Sequence, residues 1–313
     1  MSVGGSSRLE YEQRVNRVID HIRDHLADEL SLEQLARVAA FSPFHFHRIF
    51  HGVTGETLFG FIHRVRIERA ATALRDHPDD SVLAIALDHG FSSAATFARA
   101  FRARFGMSAT AWRHGGAERW RARSASTRAR ARSKRGKANR KRGKAPARAR
   151  RDGRRMDVKV TTLPRYRIAY MRHVGPYGAH GIPDLWARFA KWMETHGLLG
   201  PDSIRLGIAR DDPEVTAPEQ LRYDACVVVP DGFEGDKWVN VTELRASKYA
   251  VGAFAGTAHE IVGAWETLYR SWLPGSGYQP DDRPCIELYR GETYAKGKPG
   301  VFRCELCIPV RPL

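Results

Sequence analysis

The sequence predicts a multidomain protein. We expect an all-α N-terminal domain with two helix-turn-helix units, a disordered basic linker, and an α+β C-terminal domain of two pseudo-symmetric β-α-β-β repeats. Three observations support this fold class: an internal repeat in the first third, an arginine-rich middle, and a last half that runs twice through one order of strand and helix patterns. The predicted domains span residues 8–114, 115–155 and 156–313.

Matching residues recur at an offset of 51 positions in the N-terminal region. The matched pairs are Leu32 with Leu83, Phe46 with Phe97, Arg48 with Arg99, Phe50 with Phe101, and Gly55 with Gly106. Each copy has the pattern of a short helix, a tight turn and a second helix. A repeated unit of this kind defines the architecture of its domain.

Capping signals place the first copy's helices. Ser31 and Gln34 have the spacing of a capping box, and Ser42 followed by Pro43 is typical of a helix start.

The second copy has the same signals. Gly90 ends its first helix, and either Ser92 or Ser93 caps its second helix.

The second helix of each copy has two different faces. Its apolar residues lie at helical spacing and predict a buried stripe, while polar and basic residues remain on the other face. Charged helix faces are usually only solvated, but two capped helices with arginine in the same register favour contact with double-stranded DNA. Arginine can pair bidentately with guanine in the major groove. An intervening helix of about nineteen residues would span roughly 28 Å and join the two units.

The N-terminal third resembles the AraC/XylS family of transcription regulators. The resemblance rests on SLEQLARVAAFSPFHFHRIFHGVTG and IALDHGFSSAATFARAFRARFGMSATAWR, and covers roughly residues 13–113. It implies that the second helix of each unit enters the major groove. The predicted DNA-binding residues are Phe44, His47 and Arg48 in the first unit and Thr96, Arg99 and Arg102 in the second.

Two departures from the family pattern matter. Ala94 and Ala95 stand where many relatives have polar residues, so the second unit is expected to contact phosphates more than bases. Ala40 stands where a turn glycine is common.

The basic character of the chain is concentrated in the linker. The net charge is +16, yet the segment from Arg119 to Arg155 has fourteen arginines and four lysines against one acid. Such a segment cannot bury enough apolar surface to fold, and it can bind phosphates without sequence preference. An inert tether is the alternative. A protein that binds DNA without sequence choice is a third possibility for the whole chain.

In the C-terminal half, each predicted repeat is a strand, a helix and two more strands. Two such repeats would pair about a pseudo-two-fold axis with their helices on one side. Glu287 shares a strand face with Cys285 and Tyr289, and a carboxylate among aromatic residues can bind an organic cation. An exposed strand carboxylate is the alternative.

The C-terminal half resembles GyrI-like effector-binding domains, through RHVGPY, LGIARDDPEVT, RYDACVVVP, SWLP and PCIELY over roughly residues 157–311. The resemblance implies a small hydrophobic or cationic effector in a cleft. The predicted contacts are Glu287, Tyr289, Tyr170, Trp186 and Trp265. Some relatives hydrolyse small electrophiles with a Glu and a Tyr, so a hydrolase is the alternative, although we expect no catalytic residues.

Other classes of site are not expected. Cys304 and Cys307 form a CxxC whose odd spacing places them on opposite strand faces, and His45, His47 and His51 have no evident further ligand, so we expect neither metal nor cofactor. No secretory signal or long apolar run is present, which predicts a cytoplasmic, nucleoid-associated protein without membrane contact. RNA polymerase is a further candidate partner.

Overall fold

The computed structural model describes residues 3–124, 156–178, 181–281, 283–291, 293 and 300–313. The first segment is helical, and the later segments form an antiparallel sheet with two main helices, so the fold class predicted for both folded parts is confirmed. Residues 125–155 of the predicted linker lie outside the described residues.

The N-terminal helices follow one another with short turns. They are α1 (Val3–Asp24), α2 (Leu32–Val38), α3 (Pro43–Thr54), α4 (Leu58–Asp76), α5 (Val82–Asp88), α6 (Ala94–Phe105) and α7, which begins as Ala109–Ala111. Helix α7 widens into a π-helical segment at Trp112–Gly116, bends at His114 and Gly115, and continues as helix over residues 117–124.

Helix α4 is shared by two hydrophobic cores. Its first half packs with α1, α2 and α3 through Leu58, Phe61, Ile62 and Val65. Its second half packs with α5, α6 and α7 through Ile67, Ala70, Ala71 and Leu74. The first core with α2 and α3 is called unit 1 below, and the second core with α5 and α6 is called unit 2.

The repeat is not strictly constant in spacing. Helices α3 and α6 start 51 residues apart, at Pro43 and Ala94, but α2 and α5 start 50 residues apart, at Leu32 and Val82. The predicted match of Leu32 with Leu83 is therefore wrong by one residue, and Leu83 is 48% exposed. The extra residue of unit 2 lies in its turn.

The helical domain extends past its predicted limit at residue 114. Residues 115–124 were expected to belong to the linker, but they continue α7. The reason is Trp120, whose ring centroid lies 5.4 Å from that of Phe105 and 5.6 Å from that of Trp112. Trp120 and the buried Ala117 thus pack one side of this basic segment against unit 2.

The C-terminal domain contains a nine-stranded antiparallel sheet in the order β1-β6-β9-β8-β3-β4-β2-β5, with β7 paired to β9. Its strands are β1 (Val158–Leu163), β2 (Tyr166–Val174), β3 (Ile204–Ala209), β4 (Arg222–Val228), β5 (Asn240–Leu244), β6 (Ser247–Thr257), β7 (Tyr278–Pro280), β8 (Cys285–Arg290) and β9 (Val301–Pro312). Helix α8 (Ile182–Thr195) belongs to the first repeat and α9 (Ile261–Thr267) to the second.

The two repeats are related as predicted. Strands β2, β3 and β4 match β6, β8 and β9 in reverse order across the central β3–β8 pair. The sequence did not predict β1, β5 and β7. Strand β1 pairs with β6 of the second repeat and β5 pairs with β2 of the first, so each repeat supplies an edge strand to the other.

The two faces of this sheet have different partners. One face, called the helix face, packs against α8 and α9. The opposite face carries a separate apolar cluster that includes Tyr170, Leu206 and Ile286, and next to it the sheet contacts helix α1. Cys304 and Cys307 lie on opposite faces, as their spacing predicts.

Candidate DNA-binding surface and ligand cleft

The second helix of each unit has defined ends. Helix α6 is capped by Ser93, whose Oγ accepts a hydrogen bond from the backbone N–H of Thr96 at 3.2 Å, so Ser93 and not Ser92 is the cap. Ser42 precedes α3 without such a bond, and Pro43 starts that helix. Both helices end at a left-handed glycine, Gly55 or Gly106.

In unit 1, the predicted DNA-contacting residues lie on the free side of α3. Phe46 and Phe50 are fully buried, whereas His47, Arg48 and His51 are exposed. The side chain of Phe44 lies outside the described residues. The face opposite the core thus offers one guanidinium and two imidazole groups.

Unit 2 presents a different surface. Arg99 and Arg102 are exposed on α6 beside Ala94 and Ala95. Thr96 is half-buried, and its hydroxyl lies 3.0 Å from the Ser93 hydroxyl, so it takes part in the cap. The exposed groups of α6 are therefore mainly small or cationic.

Arg104 of α6 does not join this surface. Its Nη2 donates to Glu68 Oε1 at 2.8 Å. Glu68 is buried on α4 and also pairs with Arg64 at 3.0 Å.

The predicted ligand site lies on the helix face of the sheet. The Glu287 side chain extends from β8, and its Oε2 accepts hydrogen bonds from the hydroxyls of Tyr223 at 2.6 Å and Tyr289 at 2.8 Å. Trp265 of α9 also interacts with this carboxyl group and lowers its pKa. Glu287 is thus an acceptor for two tyrosine hydroxyls, with a tryptophan near it.

Trp186 of α8 completes this group. Its indole N–H donates to the Tyr223 hydroxyl at 3.3 Å, and its ring centroid lies 5.5 Å from that of Tyr289 in an edge-on arrangement. The structure therefore brings together Glu287, Tyr289, Trp186 and Trp265, all predicted from the sequence. Glu287 and the two tryptophan side chains are half-buried.

Two residues of this site were missed. Tyr223 is a direct partner of Glu287, and Gly207 of β3 stands opposite Glu287 in the strand register. A Cβ atom on Gly207 would lie 1.9 Å from the Tyr223 hydroxyl and 2.6 Å from Glu287 Oε2. Only glycine leaves room for that contact. A glycine inside the strand IRLGIA was the available signal.

Burial controls the electrostatics of the site. It raises the pKa of Glu287, while the hydrogen bonds from Tyr223 and Tyr289 and the nearby Trp265 side chain act in the opposite direction. Burial and the nearby carboxylate raise the pKa of Tyr223 and of Tyr289 well above the usual value, so both remain donors. Ionising a partly desolvated carboxylate costs free energy. A bound cation therefore stabilises the ionised form of Glu287.

Tyr170 does not belong to this cleft, contrary to the prediction. It lies on the opposite face of the sheet, within the apolar cluster of Leu206 and Ile286. Its hydroxyl donates to Asp20 of α1. The reason is strand alternation, since neighbouring residues of β2 face opposite sides and the sequence did not show which side holds the ligand.

Comparison with known proteins assigns a family to each half. The family model described as a GyrI-like small molecule binding domain matches residues 156–311, and a helix-turn-helix domain model matches residues 35–115. The chain is 31% identical to the Bacillus subtilis (strain 168) prophage-derived regulator YosT, over 50% of this chain and 100% of YosT. It is also 31% identical to a DNA gyrase inhibitor from Edwardsiella piscicida, over 50% of this chain and 99% of that protein. The HTH-type transcriptional regulator YbfP of B. subtilis (strain 168) is 37% identical over 34% of this chain and 35% of YbfP.

The fold and these matches define a DNA-binding transcription regulator that carries a small-molecule-binding domain. In particular, the chain belongs to the AraC-type helix-turn-helix regulators that have a C-terminal GyrI-like domain.

Two further findings concern the described residues alone. None of their helices has the length and apolarity needed to cross a membrane. Within the same part of the chain, no three histidine, cysteine or acidic side chains gather as metal ligands.

Proposed function

We propose that this regulator binds a small organic cation with an apolar or aromatic body at Glu287. The bound ligand then changes transcription from the DNA sites that the regulator recognises. The observation that supports this best is the single carboxylate of Glu287 surrounded by Trp186, Trp265, Tyr223 and Tyr289. Aromatic faces attract cations, and a partly desolvated carboxylate adds charge complementarity.

We also propose sequence-specific recognition of double-stranded DNA by α3 and α6. In this proposal His47 and Arg48 contact bases, while Arg99 and Arg102 mainly hold phosphates, and Phe44 and Thr96 remain predicted contacts. The exposure of these four basic side chains on the second helix of each unit supports it. The proposed DNA-binding domain begins at residue 8, and the ligand-binding domain spans 156–313.

The ligand is bound and not hydrolysed in this proposal. Membership in a family of transcription regulators supports binding alone. Turnover of a candidate cation by the wild-type protein, absent from Glu287→Gln, would contradict this part.

The final part of the proposal is that the regulator acts on the bacterial nucleoid in the cytoplasm. There it contacts RNA polymerase. The exposed apolar side chains of Phe59, Leu83 and Leu87 on the helical domain support it, since such groups commonly mark interaction surfaces. Transcription in vitro with purified polymerase, with and without the protein, tests it.

Replacing Glu287 with Gln tests the ligand site. We expect benzyltriethylammonium to quench tryptophan fluorescence of the wild-type protein and to bind Glu287→Gln roughly tenfold or more weakly, because an interaction with a charged group contributes about 1.5–3 kcal/mol. Glu243→Gln is the matched control, since Glu243 is an exposed strand carboxylate paired with Arg165. Equal affinity in the wild type and Glu287→Gln would contradict the proposal.

The same site gives a pH dependence of known sign. Because the pKa of Glu287 is raised in the folded protein, its contribution to stability is fully present below the ordinary glutamate pKa and is lost as the pH rises through the raised value. Cation binding requires the ionised form. The ligand-induced rise in melting temperature should therefore increase with pH through that range in the wild type, and be flat in Glu287→Gln.

A further inference from the structure

The sheet face opposite the ligand cleft contacts unit 1 through helix α1. Tyr170 and Arg172 of β2 both reach Asp20, and the Arg172 Nη2 lies 2.8 Å from Asp20 Oδ1. Asn240 of β5 donates to the backbone oxygen of Gln13 at 3.1 Å. Arg172 and Asp224 are almost completely buried, so this contact is an enclosed polar interface.

The same domain contacts unit 2 through the loop between β3 and β4. Val215 in this loop is 2% exposed and belongs to the hydrophobic core of unit 2. Thr216 Oγ1 donates to Glu68 Oε2 at 2.9 Å, and the backbone oxygen of Val215 accepts from Arg104 at 3.2 Å. A residue far along the chain therefore completes the core that supports α6.

Charged pairs extend this second contact. Arg75 at the end of α4 lies 3.0 Å from Asp212 and 2.9 Å from Glu214. Arg121 of α7 also pairs with Glu214. None of these contacts uses the exposed side chains of His47, Arg48, Arg99 and Arg102. The docked C-terminal domain thus contacts α6 through Arg104 but leaves these four side chains exposed.

We propose that the GyrI-like domain is a brace, which holds unit 1 at Asp20 and unit 2 at Val215 and Thr216 and so fixes the orientation of α3 relative to α6. The partner of this sheet face is the DNA-binding domain of the same chain. A fixed orientation makes the regulator selective for the spacing between its two half-sites, since a mismatch in spacing must be met by deforming either the DNA or the protein.

Strand β4 connects the brace with the ligand cleft. Tyr223 points to the helix face and donates to Glu287, whereas the next residue, Asp224, points to the opposite face. There Asp224 pairs with Arg172 and with Arg210, each at 2.7 Å. A cation that competes for Glu287 acts on the strand that anchors Arg172 beside Asp20. This coupling rests on the proposed ligand function, but the brace itself does not.

The test compares full-length wild type with the double variant Asp20→Asn, Thr216→Val. Each protein is measured on its preferred duplex, selected from a random pool with the wild type, and on duplexes with one base pair inserted or removed between the half-sites. We expect the wild type to lose about tenfold in affinity per changed base pair, and the double variant less than about threefold. Glu10→Gln is the control, because Glu10 lies on α1 in an exposed pair with Arg14.

Small-angle X-ray scattering without ligand or DNA reports docking separately. An increased radius of gyration in the double variant, together with the weaker spacing penalty, supports the brace. An unchanged penalty in an undocked variant overturns it. A variant that stays docked overturns the proposal that Asp20 and Thr216 hold the two units. If the double variant does not fold, Thr216→Val alone is subjected to the same comparison. Failure of benzyltriethylammonium to bind the wild type would overturn only the ligand proposal, since these arms use no ligand.

Discussion

Units 1 and 2 have the same helices but differ at three places. The turn of unit 1 places Ala40 at φ 53°, the one non-glycine residue with positive φ among those described, while unit 2 has Gly90 there at φ 77°. The second helix of unit 2 has a side-chain cap that unit 1 lacks. Finally, the core of unit 2 includes Val215 from the other domain, whereas the core of unit 1 consists of residues of the N-terminal domain.

These differences separate two tasks within one repeat. Unit 1 exposes varied polar groups. It also contains backbone strain at Ala40, because a left-handed alanine costs about 1–2 kcal/mol. Unit 2 exposes mainly arginines and is tied to the ligand-binding domain. We infer that unit 1 supplies most of the base recognition and that unit 2 positions the regulator and connects it to the brace.

The largest expected effect comes from removing the aromatic centre of unit 2. Trp112 is fully buried, contacts Phe101, Phe105 and Trp120, and donates to the backbone oxygen of Ala71 at 2.9 Å. Trp112→Ala should lower the free energy of unfolding by about 3–5 kcal/mol, as measured by chemical denaturation.

Hydrogen exchange then tests how independent the two units are. Because α4 belongs to both cores, we expect protection to fall in α3 as well as in α6. Loss confined to α6 would show that the units are uncoupled. Trp238→Ala, at an exposed tryptophan, is the control.

Arginine substitutions test the division of tasks on DNA. Arg48→Ala should cost about 1–3 kcal/mol in binding and relax base preference at one position, whereas Arg99→Ala should weaken binding to all sequences and reduce the salt slope by about one. Binding to a set of single-base variants at several salt concentrations distinguishes these outcomes. The reverse pattern would mean that unit 2 recognises bases and that unit 1 mainly contacts phosphates.

The smallest expected difference lies at the caps. Ser93→Ala removes the bond to the Thr96 backbone and should cost about 1 kcal/mol of stability, while Ser42→Ala should cost close to zero. Thermal unfolding of the two variants measures this directly. Equal losses would mean that Ser42 forms a cap in solution.

Much of the fold could be predicted because it follows from local patterns. Caps, glycine ends and aromatic stripes located the helices on either side of each turn, and the duplicated strand order gave the C-terminal topology. The predicted ends of the domains were wrong where a few side chains decide how far a helix continues. Trp120 carries α7 into the basic segment, and the exchanged edge strands β1 and β5 depend on pairing between distant segments.

The candidate cleft could be predicted in part for the same reason. Glu287 and Tyr289 share a strand face by simple alternation, so their proximity follows from the sequence. Tyr223 and Tyr170 lie on strands whose orientation depends on the sheet register, which a single sequence does not determine. The interface at Asp20 joins residues about 150 positions apart, and no local pattern indicates it.

The position of Val215 also has a consequence for synthesis on the ribosome. All helices of unit 2 emerge before this residue, yet its side chain is part of their core. Roughly ninety further residues beyond α7 must be translated first, which takes on the order of 5–20 s at bacterial elongation rates. During that interval the nascent DNA-binding domain exposes apolar surface that the finished protein covers, so premature termination after α7 would release a less stable DNA-binding fragment.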